Sequence, residues 1–332
     1  MTRLAAILLL AAACLAEAGN SLRYSPAPAT AGRDAGAGAP GILLAVENGL
    51  KPWPSGHGET PPPLGSLVSL VPSGPEPNAT ATRRVIATNL VDPVWVVGAP
   101  EHAYVGLFHP GKVVRVSLIN GDVETVAEGL SCPEGVALDN RGGGYLLYVV
   151  ENPVGDECKA PFPRKKAAQL TRIDLRTGAQ AKVAGLRSST GGEEGGPHGL
   201  AVGSNEGDFA YVCDCPSEGA ALVRVALASG TKTIAANLTS PSGCAVSGNF
   251  AYIVEQGGTD GQLVSVRLAD GKKDILLDNL AGPMGVATDG NYVYVEERHK
   301  NRVRRVNLSN GNAEVFATGL NSPIGLGIAY GY

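Results

Sequence analysis

Carboxylates recur at one place in a repeating pattern of this 332-residue sequence. Short runs rich in valine and aromatic residues end at Glu47, Glu151, Asp214, Glu255 and Glu297, and a sixth run ends at Leu107. The next residues are Asn48, Asn152, Cys215, Gln256, Arg298 and Phe108. Carboxylates gathered on one rim repel one another, so they either hold a hard cation, which prefers oxygen ligands, or keep raised pKa values. Glu47, Asn48, Asn152 and Asp214 are the expected Ca2+ contacts. Glu134, Glu151, Glu255 and Glu297 are the other acidic groups of the rim. The structural alternative for the same residues is that acidic strand ends meet solvent or Arg298.

The elements that must position them are repeats. Pro-x-Gly or a close variant follows an Asn-Leu or Gly-Leu pair at Pro93, Pro133, Pro197, Pro241, Pro283 and Pro323, with spacings of 40, 64, 44, 42 and 40 residues. After each of the first five comes an aromatic-and-valine run such as AYVGLF or YVYVEER. An alternating run such as KVVRVSL or RVRRVNL follows, then a Gly-containing turn and a fourth apolar run. Four short strands joined by tight turns and repeated every ~40–45 residues predict a β-propeller blade. Five blades are complete between about 91 and 320; SPIGLGIAYGY supplies one further strand, and residues 42–90 supply three. The expected fold is therefore all-β: a six-bladed propeller with four antiparallel strands per blade, closed by N- and C-terminal strands that share one blade. Long insertions at 49–64, 153–168 and 187–196 fall on the face that carries the strand-two ends, where binding sites are commonly built. The variable residue of each Pro-x-Gly lies on that face too: Val94, Glu134, His198, Ser242, Met284 and Ile324.

The repeat resembles the NHL-repeat propellers, best in PMGVATDGNYVYVE at 283–296, and more distantly the gluconolactonase, paraoxonase and strictosidine-synthase group. The distant resemblance implies a channel metal held by Glu, Asn and Asp of inner strands, matched here by Glu47, Asn48, Asn152 and Asp214. It also implies a base at His198 of Pro-His-Gly, which would remove a proton from attacking water. The second histidine of a paraoxonase-like pair would fall near Cys215, so that pair is broken. The peptidylglycine amidating lyases share Pro-His-Gly, but the residues Glu134, Ser242 and Met284 in other blades give a three-histidine Zn2+ site poor support.

The remaining signals concern location. Residues 1–18 read as a secretory signal peptide, with Arg3, an apolar stretch from Leu4 to Leu15 and the small-x-small end Ala16-Glu17-Ala18. Residues 19–40 read as a flexible leader and 41–332 as the propeller. Sequons at Asn78, Asn237 and Asn307 agree with secretion as a glycoprotein. Cys132 and Cys158 are expected to form a disulfide pinning the 153–168 insertion, while Cys244 could pair with Cys213 or Cys215. A net charge of -4 argues against a nucleic-acid partner, and no later apolar run is long enough for a transmembrane anchor. The expected protein is a secreted monomer whose looped, acidic face binds an extracellular protein, glycan or small-molecule ligand. The alternative is a Ca2+-dependent hydrolase of lactonase or aryl-esterase type.

Overall fold

The computed structural model describes residues 41–49, 64–74, 80–139, 146–153, 167–187, 196–203, 208–216, 219–257 and 260–330. The expected signal peptide and leader, most of the three insertions, Cys158 and Asn78 lie outside them. Blade 1 contains β1 (Ile42–Glu47), β2 (Leu64–Pro72) and β3 (Ala81–Val91). Blade 2 runs through β4 (Pro93–Gly98), β5 (His102–Leu107), β6 (Lys112–Ser117) and β7 (Val123–Ala127). Blade 3 is β8 (Pro133–Asp139), β9 (Leu146–Glu151), β10 (Gln169–Asp174) and β11 (Gln180–Gly185). Blade 4 is β12 (Gly196–Gly203), β13 (Phe209–Cys215), β14 (Ala221–Ala226) and β15 (Lys232–Asn237). Blade 5 is β16 (Pro241–Ser247), β17 (Phe250–Glu255), β18 (Gly261–Arg267) and β19 (Lys273–Leu280). Blade 6 is β20 (Pro283–Thr288), β21 (Tyr292–Glu297), β22 (Arg302–Asn307) and β23 (Ala313–Thr318). The last strand, β24 (Pro323–Ala329), returns to blade 1.

The six sheets are four-stranded antiparallel meanders, and blade 1 has the order β24-β1-β2-β3. The first and last described strands therefore share one blade, with Leu44 opposite Gly327 and Ala45 opposite Leu326. The innermost strands neighbour one another in the ring β24, β4, β8, β12, β16, β20. Local sequence explains the strands. β6 reads KVVRVS, with Val113, Val114 and Val116 buried, and turns at Gly121 to reach β7. The core lies between blades. Val150 and Val254, next to last in β9 and β17, bury their side chains in apolar clusters, the way β-branched residues fill a half-buried pleat.

The ring is tight because the innermost strands carry small residues. A Cβ at Gly199 would stand 2.5 Å from the Ser242 carbonyl oxygen, and one at Gly325 2.5 Å from that of Val94. Blade 2 breaks this rule with Trp95 in place of glycine. Its indole reaches across to blade 5, directly opposite in the ring, where a Cβ at Gly243 would lie 3.1 Å from the ring tip. Trp95 is only 6% exposed, so the middle of the propeller is filled by its side chain.

Candidate functional site

Each Pro-x-Gly corner contains a bulge. In blade 3 Pro133 pairs with Glu151 and Val136 with Val149, leaving Glu134 and Gly135 outside the ladder. Equivalent register shifts follow Pro93, Pro197, Pro241 and Pro283. A bulge re-aims a side chain, and here it presents the variable residue. The residue before proline reinforces the corner: Asp92, Cys132 and Ser322 adopt positive φ of 47°, 48° and 52°. Such left-handed backbone is costly for non-glycine residues and persists only where neighbours hold it. Asp92 is held from two sides, by the Asn48 amide at 3.0 Å and by a hydrogen bond with His109 Nδ1.

The strand-two carboxylates are fastened within their own blades. Glu47 accepts hydrogen bonds from Arg83 Nε at 2.7 Å and from the Asn321 backbone N–H at 3.2 Å. Glu151 accepts from the Ser131 N–H at 2.8 Å, Gln169 Nε2 at 2.9 Å and the Thr171 hydroxyl. Glu255 takes the Thr239 N–H at 2.7 Å and Lys273 Nζ at 3.1 Å; Glu297 takes the Ala281 N–H at 3.1 Å and pairs with Arg302. In every case the N–H belongs to the residue two before the corner proline. The carboxylate thus ties the incoming chain to the end of strand two, and charge-assisted bonds of this kind are the strong ones. Burial raises the Glu297 carboxyl, but Arg302 and the Ala281 N–H outweigh it and hold the group below the usual carboxylate range.

Blade 4 departs from this scheme. Asp214 is a methylene shorter than glutamate and receives Arg187 Nε at 2.7 Å on Oδ2, while Arg187 also donates to the Gly219 carbonyl at 2.8 Å. Asp214 Oδ1 is buried with no hydrogen-bond partner among the described residues, as are Asn48 Oδ1, Asn152 Oδ1 and Glu296 Oε2. Burial raises the Asp214 carboxyl, offset in part by Arg187 and the nearby His198. His198 Nδ1 stands 3.8 Å from Glu134 Oε1 on blade 3. Asn152, also on blade 3, abuts Gly196 at the start of β12, where a Cβ would lie 2.7 Å from Asn152 Oδ1. The structure therefore brings Glu134, Asn152, His198 and Asp214 together on the adjacent rims of blades 3 and 4.

Glu47 and Asn48, the other expected calcium contacts, belong to blade 1, opposite blade 4 in the ring. Among the described residues no three His, Cys, Asp or Glu side chains form a group that could hold a metal ion. Asn152 and Asp214 suit an oxygen-seeking cation through their open oxygens. Asn48 Oδ1 is open in the same way but stands on blade 1, while Glu47 is taken by Arg83.

The variable residues divide the mouth of the channel. Val94, Met284 and Ile324 come from consecutive blades 2, 6 and 1 and are apolar; Glu134, His198 and Ser242 come from consecutive blades 3, 4 and 5 and are polar; of the six, Met284 and His198 keep exposed surface and the other four are buried. Ser242 donates to the Met284 carbonyl at 3.3 Å, and Arg298 leans on Met284 Sδ at 3.6 Å and Ser322 Oγ at 3.0 Å. Trp95 forms the floor.

Three features escape sequence reasoning. Asp92 and Trp95 look like an ordinary turn and strand residue. Glu296 is fully buried where other blades carry Val46, Gly106, Val150, Cys213 and Val254; a charge in that apolar column was the visible signal. Burial pushes its carboxyl up to about 8, although the Gly285 N–H at 2.8 Å and Arg298 oppose the shift. Of the expected modification sites, Asn237 is exposed at the end of β15, and the Asn307 side-chain carbonyl accepts from Ser309. Cys213, Cys215 and Cys244 are buried thiols, and Cys132 is not among the unbridged cysteines.

The fold defines a six-bladed β-propeller of repeat type. A family model of the LVIVD repeat matches residues 241–260, the first two strands of blade 5. A chain in the solved crystal structure of a nidogen/laminin complex is similar in fold, with a TM-score of 0.66 and 16% sequence identity over 87% of this chain and 98% of that one. No curated protein sequence matches. Among the described residues no helix is long and apolar enough to cross a membrane.

Proposed function

We propose that this protein is a secreted, monomeric binding propeller that recognises an extracellular protein, glycan or small ligand at its looped face. The observation that carries the reading is the divided mouth above Trp95. Met284 and His198 keep exposed surface there, one apolar and one polar, and Glu134 stands beside His198, the mixture of anchoring surface and orienting polar groups that a concave binding site needs. Most of the rim carboxylates are spent on holding strands, which leaves recognition to the bulge residues. The similar solved structure is that of a complex between nidogen and laminin, which agrees with a propeller used for recognition. Secretion follows from residues 1–18, with glycans at Asn78, Asn237 and Asn307 and a Cys132–Cys158 bridge as its expected marks.

The test is binding of the full secreted chain to an array of extracellular proteins and glycans, repeated with His198→Ala and with Ile119→Ser. Ile119 is 73% exposed in a turn between strands three and four, at the other end of the blade, and serves as control. A specific binder losing about tenfold or more affinity in His198→Ala alone supports the reading. Equal losses in both variants, or no specific binder, overturn it.

The open oxygens of Asn152 and Asp214 favour a second reading, the Ca2+-dependent hydrolase of lactonase or aryl-esterase type. A bound cation would polarise a substrate carbonyl there, with His198 as the nearby base. Stoichiometric calcium in the purified protein, a melting temperature lowered by EDTA, and ester turnover abolished by Asp214→Ala would put this reading first.

A further inference from the structure

Cys213 occupies, in β13, the apolar position filled by Val150 in β9 and Val254 in β17. It is fully buried and belongs to the cluster that joins blade 4 to blade 5, the same cluster that holds Cys244 of β16. The two thiols are near neighbours across the blade boundary. Cys244 also donates to the Tyr211 carbonyl at 3.4 Å, which fixes its sulfur against β13. Cys215 lies two residues further along the same strand, yet its sulfur meets the Ser240 hydroxyl at 4.0 Å instead. Of the two partners that spacing leaves open for Cys244, packing selects Cys213.

We propose that Cys213 and Cys244 form a disulfide that staples blade 4 to blade 5 when the chain folds in the presence of a small disulfide oxidant. One cysteine, as its thiolate, attacks the oxidant R–S–S–R; a protein–S–S–R bond forms and RS⁻ leaves. The second cysteine gives up its proton and attacks the protein sulfur of that mixed disulfide. The protein S–S bond forms and the second RS⁻ leaves. Two electrons pass from the two protein thiols to the oxidant, and their two protons end on the two RSH products. Burial raises the Cys213 thiol well above its ordinary range, so the folded pair holds little thiolate. The exchange therefore belongs to folding, before blade 4 docks on blade 5. Extracellular location bears only on where the oxidant is met, so refolding in vitro tests the bridge apart from the function proposed above.

The experiment refolds the full chain from denaturant with oxidised and reduced glutathione, blocks remaining thiols with N-ethylmaleimide, and maps bridged peptides by mass spectrometry. The expected product joins Cys213 to Cys244, persists in Cys215→Ser and is absent in Cys213→Ala and Cys244→Ala. Its formation should raise the melting temperature by roughly 5 °C, so that reductant lowers the melting temperature by about that much more in Cys215→Ser than in Cys244→Ala. Alkylated Cys213 and Cys244 in the refolded protein, or a bridge that disappears in Cys215→Ser, overturns the proposal.

Discussion

The rims of blades 6 and 4 use the same column of the repeat for opposite ends. In blade 6, Glu297 reaches both the Ala281 N–H and Arg302, so its charge is consumed in closing the corner. In blade 4, Asp214 has one arginine partner and one open oxygen beside His198. A single methylene separates the two arrangements. It shows that in a repeat protein a change in side-chain length alone can leave a repeated structural role incompletely filled.

The largest expected effect contrasts these two residues directly. Glu297→Ala strips a fully buried carboxylate from Arg302 and the Ala281 N–H and should lower stability by about 3 kcal/mol, whereas Asp214→Ala should cost about 1 kcal/mol because half of its bonding capacity is unused. Chemical denaturation of both variants measures the difference; equal losses would erase the distinction between clamp and site.

A smaller effect separates either rim from the buried acid beside it. The Glu296 carboxyl is raised to about 8 in the folded chain, above its unfolded value. The folded state therefore keeps a proton that the unfolded state has released. The associated stability is fully present below the unfolded pKa and is lost as pH rises through about 8. Between pH 6 and 7.5 this amounts to a decline on the order of 2 kcal/mol. Glu296→Gln should flatten that slope in melting experiments while leaving the acid limb unchanged.

The smallest effect sharpens the clamp itself. Thr171→Val removes one of the three groups on Glu151 and leaves Gln169 and the Ser131 N–H in place, so a loss of about 1 kcal/mol is expected from urea unfolding.

The architecture was legible because Pro-x-Gly and its following valine-rich run recur at a nearly constant interval, and a four-strand period of that length has few physical solutions. His198, Asn152 and Asp214 were legible for the same reason, since strand ends in register must share a face. The partners of the carboxylates were not. Arg83 meets Glu47 across two strands and Lys273 meets Glu255 from the outermost strand, contacts set by bulges and twist that no linear spacing displays. Trp95 reads as one more aromatic in VWVV, and only the closed ring places it against Gly243. The missing partner of Asp214 depends on a side-chain length, to which the repeat pattern is blind.

The shared blade has a consequence for synthesis. Among the described strands β1 leaves the ribosome first, yet its inner neighbour β24 leaves last, separated from it by almost the whole propeller. At roughly 5–20 residues per second, β1 waits for tens of seconds with one edge unpaired. During that interval Leu43, Leu44, Ala45 and Val46 offer an apolar, hydrogen-bond-hungry template to any other nascent chain. A translational stall late in the message, or a truncation before Pro323, would therefore leave more than a missing strand: it would release a nearly finished disc that carries a sticky seam, suited to capture by chaperones or by its own copies.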